Sequence, residues 1–174
     1  MANVIVVRGK AGVGKTTLAK ALGKRLNTMV VHKDDIYDSV AVFLTDRNAR
    51  NQICFDVLHQ LLQSALSCEA DIIIDFGHNH LDDVEQLKSW VEAQNGVLKP
   101  ILCVCEDETV WAARLDARKA NPSPNQVLTD VQALKEHYAK MRTGVLPGEL
   151  VLDTTTDDNT LVERVIAYVQ SRRT

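Results

Sequence analysis

A run near the start of the chain, Gly9-Lys10-Ala11-Gly12-Val13-Gly14-Lys15-Thr16-Thr17, fits the pattern G-x-x-x-x-G-K-[ST] in full. The chemistry that needs this spacing is the binding of a polyphosphate. Glycines at 9, 12 and 14 let the backbone turn its N–H groups inward around an anion. A helix starting near Gly14 adds its positive end. Lys15 would reach the β- and γ-phosphates, the Thr16 hydroxyl would ligate Mg²⁺, and Thr17 would support the α-phosphate side. The plain alternative is a glycine turn before an ordinary helix. A buried strand before the run and an amphipathic helix after it favour the phosphate loop, so ATP and Mg²⁺ are the expected cofactors, with residues 9 to 17 as the nucleotide contacts.

Carboxylates follow at two other strand ends. His32-Lys33-Asp34-Asp35-Ile36-Tyr37-Asp38 comes directly after an apolar run. A carboxylate there can accept a hydroxyl proton and aim the oxygen at the γ-phosphorus. Asp34, nearest the strand end, is the expected base; Asp35 is expected to cap the following helix or to order Mg²⁺ through water, and the order of the two stays open. Ile72-Ile73-Ile74-Asp75 ends in a carboxylate placed to hold Mg²⁺ through water, with a turn-forming aspartate before Gly77 as the other reading. His78 and His80 lack a third ligand at zinc spacing. Arg114 and Arg118 are four apart and share one helical face. Arg47 and Arg50 are favoured as solvated surface over acceptor contacts.

Five short apolar runs must position these groups: Val4–Val7, Met29–His32, Ile72–Ile74, Ile101–Cys105 and Leu150–Leu152. None alternates with polar residues, which suits strands covered on both faces. Helical spacing fills the gaps, in Leu18, Ala21, Leu22 and Leu26, in Ile53 to Leu66, in Val127 to Met141 and in Leu161 to Val169. Strand and helix alternate, so the expected fold is α/β with a mostly parallel sheet. In such a sheet the carboxyl ends of the strands line the ligand crevice.

Composition narrows the classes. The chain has 174 residues, 45% hydrophobic and 25% charged, with a formal charge of −3, which fits one globular domain over 1–174 and excludes disorder and a general nucleic-acid coat. Met1-Ala2-Asn3 lacks a basic leader, and no apolar run approaches the ~18 residues of a membrane span. The four cysteines form no CxxC pair and are expected to be reduced packing residues, with the cytoplasm as the default compartment. None of the eight glycines has an aspartate three residues before it, and no asparagine precedes a lysine, so the guanine-reading segments of a switch GTPase are missing. A lone phosphate loop in a small chain points to a phosphotransferase.

The phosphate loop and the tract Lys33-Asp34-Asp35-Ile36-Tyr37 resemble those of small P-loop kinases of the nucleoside-monophosphate-kinase-like group. The closer likeness is to polynucleotide 5′-kinase domains, zeta toxins and chloramphenicol phosphotransferase. The resemblance implies a three-layer P-loop NTPase fold with a five-stranded parallel sheet and a small helical lid, at about 114–127. It implies a strand-two aspartate as general base, and lid arginines, Arg118 ahead of Arg114, that neutralise the transferring phosphoryl group. It also implies that Thr154 and Thr155, in Asp153-Thr154-Thr155, lie beside the nucleotide base. Several members carry an arginine shortly after the aspartates, where this chain has Asp38. That departure counts against a phosphorylated acceptor such as a nucleic-acid end. The expected activity is ATP-dependent transfer to a hydroxyl of a small molecule, by a monomer or homodimer with no membrane partner. Other readings stay open: a regulatory NTPase that acts as a nucleotide-dependent switch, or a nucleoside, nucleotide or polynucleotide 5′-end kinase.

Overall fold

The computed structural model describes residues 1–120, 124–125 and 130–171. The elements run β1 (Asn3–Arg8), α1 (Lys15–Leu26), β2 (Val30–His32), α2 (Lys33–Ala41), α3 (Arg47–Ser67) and β3 (Ile72–Asp75). They continue α4 (Leu81–Ala93), β4 (Val97–Val104), α5 (Glu108–Lys119), α6 (Val131–Ala139), β5 (Leu150–Asp153) and α7 (Asp158–Gln170). The strands form one sheet in the order β2-β3-β1-β4-β5, and every pair is parallel. This is the α/β fold that the apolar runs imply.

Both faces of the sheet are covered, which is why the strands are apolar without alternation. Ile5, Val7, Ile73 and Cys103 point into one core, packed by Leu18 and Leu22 of α1 and by Leu161 and Val165 of α7. Val4, Val6, Ile72 and Ile74 point into the other, beneath Leu58 and Leu62 of α3 and Val84 and Val91 of α4. Helix starts follow local chemistry: the Asp107 side chain accepts from the Thr109 and Val110 amides at α5, and Asp46 does the same for Asn48 and Ala49 at α3.

The expected boundaries need three corrections. The fourth strand begins at Val97 rather than Ile101. Lys99 and Pro100 interrupt the apolar pattern, but the Lys99 ammonium reaches the carbonyls of Tyr168 (3.2 Å) and Ser171 (2.9 Å) at the end of α7. Pro100 stands opposite Val6 of β1, one residue before the first β4–β5 pair, Ile101 with Leu150. Helix α4 adds to the expected elements: Val84, Leu87 and Val91 keep helical spacing and Asp82 and Asp83 complement its positive end. Asp35 does not cap α2: that helix already begins at Lys33, with His32 as its cap residue. Part of the expected lid, residues 121–123 and 126–127, lies outside the described residues, and with it Val127, the expected start of the helix before Met141. No described helix is long and apolar enough to cross a membrane.

Candidate active site

β1 delivers the phosphate loop to the carboxyl edge of the sheet. Gly9 has φ +138°, and a Cβ there would lie 2.3 Å from the Cys103 carbonyl oxygen on β4. Gly14 caps α1 at φ +97°. Both positions need the freedom only glycine has. Lys15 opens α1 and folds back over its own loop, where Nζ donates to the Lys10 carbonyl at 2.9 Å. Burial pushes the Lys15 ammonium below its ordinary pKa, and the Asp75 and Asp34 carboxylates oppose that shift only in part. A desolvated cation of this kind gains most from an arriving anion.

Asp75 closes β3 beside it. Its Oδ2 accepts from Thr16 Oγ1 at 2.6 Å and lies 2.9 Å from His32 Nδ1. Strand register brings this about, since His32 on β2 pairs with Asp75 on β3. Burial pushes the Asp75 carboxyl up, yet the bond to His32, the Lys15 ammonium and the Thr16 hydroxyl together hold it below the usual carboxylate range. Thr16 and Asp75 form a pair of hard oxygen donors that fits Mg²⁺ with bound phosphates and water completing its shell. Among the described residues no group of three His, Cys, Asp or Glu side chains converges on one point.

A cavity of about 560 Å³ connects these groups, lined by Lys15, Thr16, Asp75, Asp34 and Arg118. Asp34 stands in the first turn of α2, and its Oδ1 accepts a hydrogen bond from Asn125 Nδ2. Asp35 is exposed and lies outside the cavity wall. Successive helical residues point about 100° apart, which turns Asp35 away from the face that Asp34 presents to the crevice. The expectation that Asp35 orders Mg²⁺ therefore finds no support, since Thr16 and Asp75 line the crevice and Asp35 does not.

The two arginines of α5 separate as well. Arg118 lines the main cavity as well as a second, smaller one, whereas the Arg114 guanidinium donates to Thr154 Oγ1 and Thr154 O, each at 2.8 Å, and to the Val13 carbonyl at 3.4 Å. Arg114 thus braces the far side of the phosphate loop, where Gly12, Gly14, Thr17 and Thr154 line that second cavity of about 280 Å³. Its expected role on the transferring phosphoryl group is corrected accordingly. Thr154 lies in this second cavity and is buried, while Thr155 bonds back to Asp153 and does not line it. Lys10 and Val13 contribute by other means: the Lys10 ammonium sits 5.7 Å above both the Trp111 and Tyr138 rings, and Val13 packs in the core. Arg50 donates to the Leu44 carbonyl at 2.5 Å and covers the Tyr37 ring, and neither it nor Arg47 lines the cavity.

Several site residues were given no role by the sequence. His32, Lys33, Asn79, Asn125 and Tyr138 line or brace the main cavity because of tertiary placement. Lys33 is half-buried over the Phe55 ring, and burial lowers its pKa. A histidine and a lysine directly before Asp34-Asp35 at a strand end were the available hint. His78 is buried with φ +38° and its imidazole is pushed down to about 4 by burial, which leaves it neutral. Burial likewise pushes the Cys103 thiol up to about 12, so it packs rather than reacts.

A family model described as AAA domain matches residues 4–142. No curated protein matches the chain in sequence. Among solved structures, a protein of Chloroflexus aurantiacus assigned provisionally as a kinase aligns with a TM-score of 0.77 at 22% identity, over 97% of this chain and 98% of the other. An APS kinase from Mycobacterium tuberculosis, in complex with AMPPNP and APS, aligns at 0.68 and 14% identity, over 98% of each chain. A gluconokinase from Sinorhizobium meliloti aligns at 0.61 and 14% identity, over 97% of this chain and 91% of the other. At these identities the likeness establishes a shared P-loop fold.

Proposed function

The chain belongs to that AAA-domain family, and from this premise we propose that it is an ATP- and Mg²⁺-dependent phosphotransferase acting on a hydroxyl of a small molecule. The observation that carries the reading is the single cavity shared by Lys15, Thr16, Asp75, Asp34 and Arg118. A phosphate grip and a carboxylate held by Asn125 line the same space. Structural neighbours that include a gluconokinase and an APS kinase support a small acceptor, and Asp38 close to Asp34 offers a phosphorylated acceptor no cation at that position.

In this mechanism the loop amides and Lys15 hold the triphosphate, and Lys15 regains the charge partner that burial denies it. Mg²⁺, when bound, neutralises phosphate charge, and Thr16 and Asp75 are the residues that would hold it. Asp34 takes the acceptor's proton and aligns its oxygen with the γ-phosphorus. Arg118 offers a planar, permanently charged fork to the transferring group. Arg114 acts as a positioning residue by tying the loop to Thr154. Little covalent chemistry is asked of the protein; position and charge carry the reaction.

The test is a screen of ATP consumption over alcohol, sugar, nucleoside, antibiotic and oligonucleotide acceptors, with Asp34→Asn as its companion. One acceptor class should stimulate turnover above background hydrolysis. Asp34→Asn should then lower transfer by about 10²- to 10⁴-fold with ATP affinity retained. Turnover that no acceptor stimulates and that Asp34→Asn leaves intact would instead mark a nucleotide-dependent switch.

A further inference from the structure

Tyr138, on α6, lines the main cavity beside Lys15 and Arg118, and the mechanism above gives it no task. Only 8% of the residue is exposed. Its hydroxyl oxygen accepts a hydrogen bond from the Ala11 amide of the phosphate loop at 3.0 Å. The carbonyl of the same Ala11 accepts from Trp111 Nε1, on α5, at 2.8 Å. Both polar ends of one loop residue are therefore held by aromatic side chains, one from each helix that flanks the lid segment.

This grip changes what the loop presents to an anion. Loop amides bind phosphate by pointing into the cradle, but the Ala11 amide is already spent on Tyr138. A phenol that accepts a bond keeps a proton of its own to donate. Among the described residues no oxygen takes that proton. Burial raises the phenol's pKa, against the smaller opposing effect of the Ala11 bond, so the proton is present throughout the neutral range. The donor that the loop gives up at Ala11 is thus re-created one step further into the cavity.

Its position selects which phosphate it can meet. Ala11 and Tyr138 line the cavity that also holds Asp34, the acceptor side, whereas Gly12, Gly14 and Thr17 line the cavity beside Thr154, with Arg118 common to the two. We propose that the Tyr138 hydroxyl is a nucleotide-binding group that donates a hydrogen bond to the terminal phosphoryl group of a bound triphosphate, while the Ala11 amide holds its oxygen in place. The inference rests on the triphosphate reading of the site and deepens it: the chain distinguishes tri- from diphosphate through a tyrosine outside the glycine-rich motif.

The experiment measures calorimetric affinity for a non-hydrolysable ATP analogue and for ADP, each with Mg²⁺, in the wild type, Tyr138→Phe and Trp111→Phe. Tyr138→Phe keeps the ring and its packing. It should weaken the triphosphate analogue about tenfold or more, as expected for a lost bond to a charged group, and leave ADP within about twofold. Trp111→Phe removes the other hold on Ala11 without touching phosphate, and should shift both nucleotides alike. Equal losses for the two nucleotides in Tyr138→Phe, no loss, or the same selective loss in Trp111→Phe would overturn the assignment. A wild type that binds neither nucleotide would overturn the proposed function itself, a distinct outcome.

Discussion

Two clusters of buried charge sit at the carboxyl ends of neighbouring strands and differ in one respect. In the first, Arg8 at the end of β1 is closed on all sides. It donates through Nε and Nη2 to Glu149 at 2.6 Å each, to the Gly144 carbonyl at 2.7 Å and to the His78 carbonyl at 3.3 Å. Glu149 in turn accepts from the Leu146 amide at 2.9 Å. In the second, Asp75 is buried and Lys15 partly so, but both face a cavity, and among the described residues the lysine has a carbonyl of its own loop as its one hydrogen-bond partner. Burial is common to both, so burial alone does not mark function. The difference is whether partners within the chain satisfy the charge: the closed pair holds structure, the open one awaits an anion.

Breaking the closed cluster should cost the most. Glu149→Ala strands the Arg8 guanidinium in the core, and urea unfolding should register a loss of about 3–5 kcal/mol. The same operation on the open cluster should have the opposite signature. Lys15→Met removes a desolvated cation, so stability should hold or rise, while ATP-dependent turnover falls about 10²- to 10³-fold, or ~3–4 kcal/mol in barrier. Equal destabilisation by both variants would erase the difference between the closed and the open cluster. Acid offers a smaller effect on the closed side. The folded His78 imidazole titrates at about 4, below its ordinary 6.5. Between those values the unfolded chain binds a proton that the folded chain refuses, so stability falls as pH drops through that window, by about 3 kcal/mol at most. His78→Asn, which tolerates the positive φ, should flatten the slope of denaturant midpoint against pH. Smallest is Arg114→Lys, which loses the two-point hold on Thr154; ADP affinity should drop about tenfold with little change in the rate of transfer at saturation.

What could be read from the amino-acid order follows the range of the interaction. The phosphate loop was legible because its demands are local: glycines where φ is positive, a lysine and a threonine at a helix start. Asp34 and Asp75 were legible as carboxylates at strand ends, a position the parallel sheet turns into a crevice wall. The four-residue spacing of Arg114 and Arg118 showed a common face but could not show that Thr154 and Val13 would claim the first. Tyr138 is separated from Ala11 by 127 positions, and its helical spacing marked it only as core. Arg8 and Lys99 look like interruptions of strands until their partners arrive from Glu149 and α7.

The Arg8–Glu149 contact joins residues 141 positions apart. A link that closes so long a stretch of chain gains its enthalpy only after most of the loop-closure entropy has been spent. It is therefore expected to form after the folding barrier has been crossed. Substitutions there should shorten the lifetime of the native state by speeding unfolding, while leaving the refolding rate nearly untouched.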